Sequence, residues 1–136
     1  MLLNPCVMFS GRCEEAFKFY ENCLGGMITA THRYEGTPAE AQAPPGWKKK
    51  ILHTRLQAGN NVLMGSDPPP DRFQAPKGFS ISLGLDTAEE AERAFRALAE
   101  YGTVQMPMQK TFFSERFGML IDQFGIPWMV ICERAT

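Results

Sequence analysis

The sequence holds only two histidines, at positions 32 and 53, and none of its four cysteines, at 6, 13, 23 and 132, forms a Cys-x-x-Cys pair. A structural zinc site needs a set of such ligands at close spacing, and the chain does not encode one. Cys13 and Cys23 fall in one helical stretch about three turns apart, too far to bridge each other. The four cysteines read as reduced thiols that pack as small hydrophobes. Neither sign of charge is in excess: 14 Lys and Arg stand against 15 Asp and Glu, a net of −1. No basic stripe is left to neutralise phosphates, so nucleic acid is not an expected partner. The longest apolar run lies near Trp128–Cys132, far short of a bilayer span. The start, Met-Leu-Leu-Asn-Pro, lacks the charged head and long apolar stretch of a signal peptide. The expectation is a cytoplasmic protein with no membrane partner. Gly-x-Gly-x-x-Gly, Gly-x-x-x-x-Gly-Lys and Gly-x-Ser-x-Gly are all absent, which removes nucleotide-loop and nucleophile-elbow readings.

What is present is a chain of 136 residues, 44% hydrophobic and 21% charged. That is globular composition and the length of one ordinary domain, or of two half-sized units sharing a core. A strand is expected over Pro5–Phe9, broken by Ser10-Gly11. Apolar residues at 13, 16, 17, 20 and 24 then follow helical spacing, stopped by Gly25-Gly26. Met27–Tyr34 reads as a strand, 35–48 as a long loop, and Lys50–Gln57 with Asn61–Gly65 as a hairpin about Gly59-Asn60. After a proline-rich joint from Asp67 to Gly78 comes a strand at Phe79–Leu85. A second helix begins at a capping box, Thr87 with Glu90; its stripe is Ala91, Ala94, Phe95 and Leu98, and its stop is Gly102. Val104–Met108 reads as an edge strand because of Pro107, and Phe117–Asp122 and Ile126–Cys132 as a closing pair.

Strand, helix and three strands therefore occur twice, over 1–70 and 78–136 of a single domain. Glu14-Glu15-Ala16 recurs as Glu89-Glu90-Ala91 at an offset of 75, and Gly59 as Gly125 at an offset of 66. Strand residues alternate between faces. Ile81, Leu83 and Leu85 are expected beneath the second helix, with Ser80, Ser82 and Gly84 on the open face. The same parity puts Leu52, Thr54 and Leu56 beneath the first helix and Ile51, His53 and Arg55 on its open face. Leu63, Gly65 and Asp67 are expected to join that open face.

The doubled unit resembles the vicinal oxygen chelate superfamily, which includes glyoxalase I, bleomycin-resistance proteins and extradiol dioxygenases. The segments at 9–20, 51–56, 63–67 and 111–118, and Asp-Gln-Phe-Gly-Ile-Pro-Trp-Met at 122–129, are similar to its PhnB-like branch. The resemblance implies an α+β fold of tandem βαβββ modules, with two pseudo-symmetric halves whose curved mixed sheets enclose a concave cavity. It also implies metal-ligand positions on the first and last strand of each half, at Pro5, Leu63, Ser80 and Met129. Pro and Leu cannot ligate, a thioether is too soft for an oxygen site, and a lone Ser hydroxyl is a poor ligand. No metal and no cofactor are therefore expected.

His53 is the sharpest candidate, because an imidazole serves as acid, base or ligand near neutrality; the plainer reading is a half-buried strand histidine. Asp67 can orient His53, or cap the proline-rich turn. Arg55 can present a guanidinium to an anion. Phe9, Phe112, Phe117 and Met129, with Ser80 and Ser82, are expected to line the ligand cavity. His32 shows no partner in the sequence and reads as structural. Two functions follow: a metal-independent small-molecule-binding protein, or an enzyme using His53 with Asp67 as general base or displaced metal site. Sheets with bare edges, in a superfamily that pairs them within or between chains, point to a homodimer.

Overall fold

One element order runs twice along the chain, and a computed structural model describes residues 1–133. The first run is β1 (Cys6–Met8), α1 (Cys13–Leu24), β2 (Met27–Arg33), β3 (Ile51–Ala58) and β4 (Asn61–Ser66). The second is β5 (Ile81–Leu85), α2 (Ala88–Ala99), β6 (Thr103–Gln109), β7 (Ser114–Ile121) and β8 (Pro127–Glu133). The chain divides into two compact units, Met1–Ala75 and Pro76 onward. Each unit is a four-stranded mixed sheet with one helix, in the orders β1-β4-β3-β2 and β5-β8-β7-β6. The outer pairs β1–β4 and β5–β8 are parallel and the rest antiparallel. Neither sheet closes into a barrel.

The helices follow their apolar stripes. α1 buries Cys13, Ala16, Phe17 and Tyr20, and Gly25 ends it in the left-handed conformation at φ 69°. Phe17 sits edge-on to Phe9 and to Tyr20, with centroids 6.1 and 5.7 Å apart. α2 starts where the Thr87 hydroxyl accepts the Glu90 N–H at 3.1 Å, and it buries Ala91, Ala94, Phe95 and Leu98. Its stop differs from the sequence expectation: the left-handed position falls on Tyr101, at φ 58°, one residue before Gly102. The long loop is not featureless, since a 3-10 turn spans Pro38–Gln42.

Glycines mark which strand face meets each helix. A Cβ on Gly65 would strike the Phe17 ring and approach the Cys13 sulfur, and one on Gly118 would come within 2.7 Å of Phe95. Gly65 pairs with Thr54, and Leu63 with Leu56, so all four lie under α1. This corrects the expected placement of Leu63, Gly65 and Asp67 on the open face. The hairpin turn holds two residues and pairs Ala58 with Asn61. Even positions of β3 therefore share a face with odd positions of β4. Ile51 is corrected too. The register slips between His32 and Arg33, which pair with His53 and Ile51. That bulge turns Ile51 under the helix, where it is 1% exposed, and leaves Leu52 half-buried. In the second unit the parity holds: Trp128, Val130 and Cys132 are buried, Ile81, Leu83 and Leu85 are half-buried, and Ser82 and Gly84 are exposed.

Three substitutions check these assignments by urea unfolding. Leu98→Ala empties a fully buried site and is expected to cost about 2–5 kcal/mol, whereas Leu83→Ala, half-buried, costs clearly less. Tyr101→Gly relieves a left-handed backbone at a side chain 84% exposed and is expected to raise stability by roughly 0.5–1 kcal/mol.

Candidate functional site

His53 stands on the face of the first sheet that turns away from α1, because its neighbour Thr54 faces the helix beside Gly65. The strand directly across supplies His32. The two imidazoles lie nearly parallel, 23° between planes and 6.4 Å between centroids. The sequence showed no partner for His32, because a bulged register between distant strands supplies it. Arg55 is next along the same face, opposite Met64, which in turn pairs with Cys6. Among the described residues no carboxylate reaches the Arg55 guanidinium. His53 and Arg55 are half-buried and His32 is exposed. This face can therefore offer an unpaired guanidinium and two imidazoles to an incoming group.

Asp67 is not part of that face. It lies on the helix side, 1% exposed, and the structure does not bring it to His53. One carboxylate oxygen accepts the N–H of Gly11 at 2.9 Å and of Cys13 at 3.0 Å, and the other accepts that of Ile51 at 3.2 Å. Its own carbonyl oxygen accepts the Tyr34 hydroxyl at 2.8 Å and the Trp47 indole N–H at 3.2 Å. Burial pushes the Asp67 carboxyl above its ordinary value, opposed by the three N–H donors and by Lys50. The Cys13 thiol beside it is raised by burial and by the Asp67 charge. Asp67 thus holds the start of α1 to the ends of β3 and β4.

In the second unit, Ser82 pairs with Met129, which pairs in turn with Met119, all on the face away from α2. Ser80, half-buried, precedes the strand with the same parity. Phe117 shares this face at 8% exposure. It meets Phe113 edge-on at 5.3 Å, and Phe113 meets Phe112 at 5.1 Å. Phe112 is 92% exposed at the β6–β7 turn. Phe9 is a correction: at 2% exposure it packs on Phe17 and Tyr20 beneath α1, away from any ligand face.

The positions implied for a metal box also move. Pro5 and Leu63 share the helix-facing parity, because Val7 pairs with Gly65. The helix-free pairs on the outer strands are Cys6 with Met64 and Ser82 with Met129. The offset of 66 fails by one because the β7–β8 turn pairs Ile121 with Pro127 across five residues, where the β3–β4 turn spans two. An odd difference in turn length exchanges the faces. Asp122 builds the longer turn: its carboxylate accepts the N–H of Phe124 at 2.8 Å, of Ile126 at 3.0 Å and of the Trp128 indole at 2.9 Å. Among the described residues no group of three His, Cys, Asp or Glu could hold a metal ion, and no helix is long and apolar enough to cross a membrane.

The family model described as Glyoxalase/Bleomycin resistance protein/Dioxygenase superfamily matches residues 2–130. The chain is 31% identical to Protein YjdN of Escherichia coli K12 over 138 aligned positions, which cover 96% of this chain and 94% of that one. The crystal structure of protein PA1353 from Pseudomonas aeruginosa is 45% identical, covers 99% of each chain and superposes with a TM-score of 0.90. A Bacillus cereus structure described as a putative 3-demethylubiquinone-9 3-methyltransferase, PhnB protein, is 26% identical, with TM-score 0.81, covering 97% of this chain and 99% of that one.

Asp67→Asn tests the buried carboxylate. The amide keeps one acceptor oxygen but turns a donor toward the Ile51 N–H, and the expected cost at neutral pH is about 1–3 kcal/mol. A raised folded-state value means that the folded chain binds more proton than the unfolded one above about pH 4. The stability of the native chain relative to the Asn variant should therefore fall as pH rises from there through the raised value, then level off. A relative stability that rises across that window would show that the N–H donors outweigh burial.

Proposed function

Because the chain belongs to the glyoxalase/bleomycin resistance protein/dioxygenase superfamily, we propose that it is a cytoplasmic small-molecule-binding protein of the PhnB-like kind that works without the metal box. One observation carries this reading. The helix-free positions on the outer strand pairs hold Cys6 with Met64 and Ser82 with Met129, a set without imidazole or carboxylate. Neither a thiol beside a thioether nor a hydroxyl beside a thioether makes an oxygen-site chelate for a hard divalent ion. These groups do suit an organic ligand, since thioethers adapt to apolar surfaces.

Ligand contacts are assigned to the helix-free face of each unit, each taken by itself. Arg55 supplies a guanidinium for an anionic group, with His53 and His32 beside it. Ser80 and Ser82 supply hydroxyls, and Phe112, Phe117 and Met129 supply apolar surface. The enzyme alternative rests on His53, whose imidazole has no hydrogen-bond partner among the described residues and so can act as a base. Asp67 is no part of that alternative, since its oxygens are engaged across the sheet. The methyltransferase wording carried by the Bacillus cereus relative is not transferred. A methyl-donor nucleotide needs a glycine-rich strand-to-helix turn within alternating strands and helices, and neither βαβββ unit offers one. The functional form is proposed to be a homodimer, which protects the sheet edges.

Native mass spectrometry of the untagged protein is expected to show a small organic adduct and less than stoichiometric metal. Stoichiometric nickel, zinc, iron or manganese overturns the metal-free reading. Arg55→Gln and His53→Ala should each reduce adduct occupancy while shifting stability by less than about 1 kcal/mol, as both side chains are only half-buried. A monomer at micromolar concentration by sedimentation removes the dimer.

A further inference from the structure

A cavity of about 560 Å³ opens on the helix side of the first unit, across the sheet from His53. Gly11 and Glu14 line it from the start of α1, Arg33 from the end of β2, Lys49 and Lys50 from the close of the β2–β3 connection, and Asp67 from the end of β4. The volume is that of an ordinary small-molecule site. It shares no residue with the ligand contacts assigned above, and it gives a role to Lys49 and Lys50, which the ligand face does not use.

Three cations meet at this cavity, and the two lysines are the less committed of them. Arg33 is held by Glu14 through both terminal nitrogens, at 2.6 and 3.3 Å, and donates to the Lys49 carbonyl at 2.8 Å. Lys49 reaches Glu35 at 2.6 Å, with side chains 76% and 40% exposed. Exposed pairs of this kind contribute little and exchange readily with ions. The Lys50 ammonium donates to the Gly11 carbonyl at 2.9 Å and retains donors to spare. The Asp67 carboxylate, held by three backbone N–H groups, offsets part of this positive charge and attracts Lys50. The same bonds fix the walls. Ile51 is tied to Asp67, Tyr34 N–H donates to the Lys50 carbonyl at 3.2 Å, and Lys50 N–H donates to the Trp47 carbonyl at 2.9 Å. The cations therefore stand on a braced backbone: Arg33 is fixed by Glu14 and Lys50 by the Gly11 carbonyl and the Trp47 ring, while the exposed Lys49 head can turn.

We propose that this cavity binds the phosphate or carboxylate group of a free small molecule, at a site separate from the His53 face. A compact oxyanion receives charge-assisted hydrogen bonds from Lys49 and Lys50, beside the Glu14-held Arg33, in exchange for the exposed Lys49–Glu35 pair, and the remaining volume accommodates an organic portion. A dianion engages more of these donors than a monoanion does.

The test is calorimetric titration of the full chain with inorganic phosphate, and separately with acetate, in chloride buffer at constant ionic strength. Saturable 1:1 phosphate binding is expected, tighter than acetate and weakened as salt rises. Lys49→Ala, at an exposed position that leaves the fold intact, should weaken phosphate binding several-fold, Lys49→Arg should retain most of it, and His53→Ala should leave it unchanged. No saturable binding up to tens of millimolar phosphate overturns the proposal. So does binding equal in the native chain and Lys49→Ala. Loss of phosphate binding in His53→Ala with retention in Lys49→Ala would place the anion on the ligand face instead, and would also overturn it.

Discussion

A carboxylate almost fully withdrawn from water must find donors or lose its charge, and at Asp67 the whole first unit is arranged to supply them. Three N–H groups come from the turn before α1, the first turn of α1 and the start of β3. Two side-chain donors from the β2–β3 connection converge on the carbonyl of the same residue. One residue thus ties a helix terminus, two strands and a loop of Met1–Ala75. α1 has no side-chain cap of its own; Asp67 takes that place from the far end of β4. The helix N-terminus favours the negative charge, while burial pushes the carboxyl above its ordinary value.

The second unit solves the same topology by other means. There α2 is capped locally by Thr87, and the buried carboxylate, Asp122, braces the β7–β8 turn and the Trp128 indole. The units therefore share strand order and helix length but not their polar anchors. Sheet order is constrained by which strands can pair and bury an apolar face, whereas a buried carboxylate needs only donors, and different loops furnish them.

The division of faces decides what each surface can do. Helix-side positions carry the aromatic and aliphatic core: Phe9, Phe17, Tyr20 and Leu56 in one unit, Phe95, Leu120 and Trp128 in the other. The helix-free face of the first sheet carries imidazoles and a guanidinium; that of the second carries thioethers, Phe117 and a serine hydroxyl. Among the described residues, neither face gathers three His, Cys, Asp or Glu side chains that could hold a metal ion. The charged cavity beside α1 lies on the opposite side of the first sheet, so its occupancy can be measured independently of the ligand face.

Local sequence carried a great deal here. The spacing of Ala16, Phe17 and Tyr20, the Thr87 cap and the Gly59-Asn60 turn are short-range signals, and they were enough for the element order, both helices and the repeat; the superfamily came from the resemblance of whole segments such as 122–129. The parity of His53, Arg55, Ser82, Met129 and Trp128 was legible for the same reason, since alternation within one strand needs no partner. What failed was whatever depended on register between strands. Leu63, Gly65 and Asp67 changed faces because a two-residue turn sets their pairing, Ile51 changed because of a bulge against β2, and Phe9 went into the core because α1 needed an aromatic there. The contact of His32 with His53, the donors gathered around Asp67 and the cations at the α1 cavity join residues far apart in sequence. Only tertiary structure decided these, because pairing register and loop return are settled by the packing of the whole sheet, which no local pattern records.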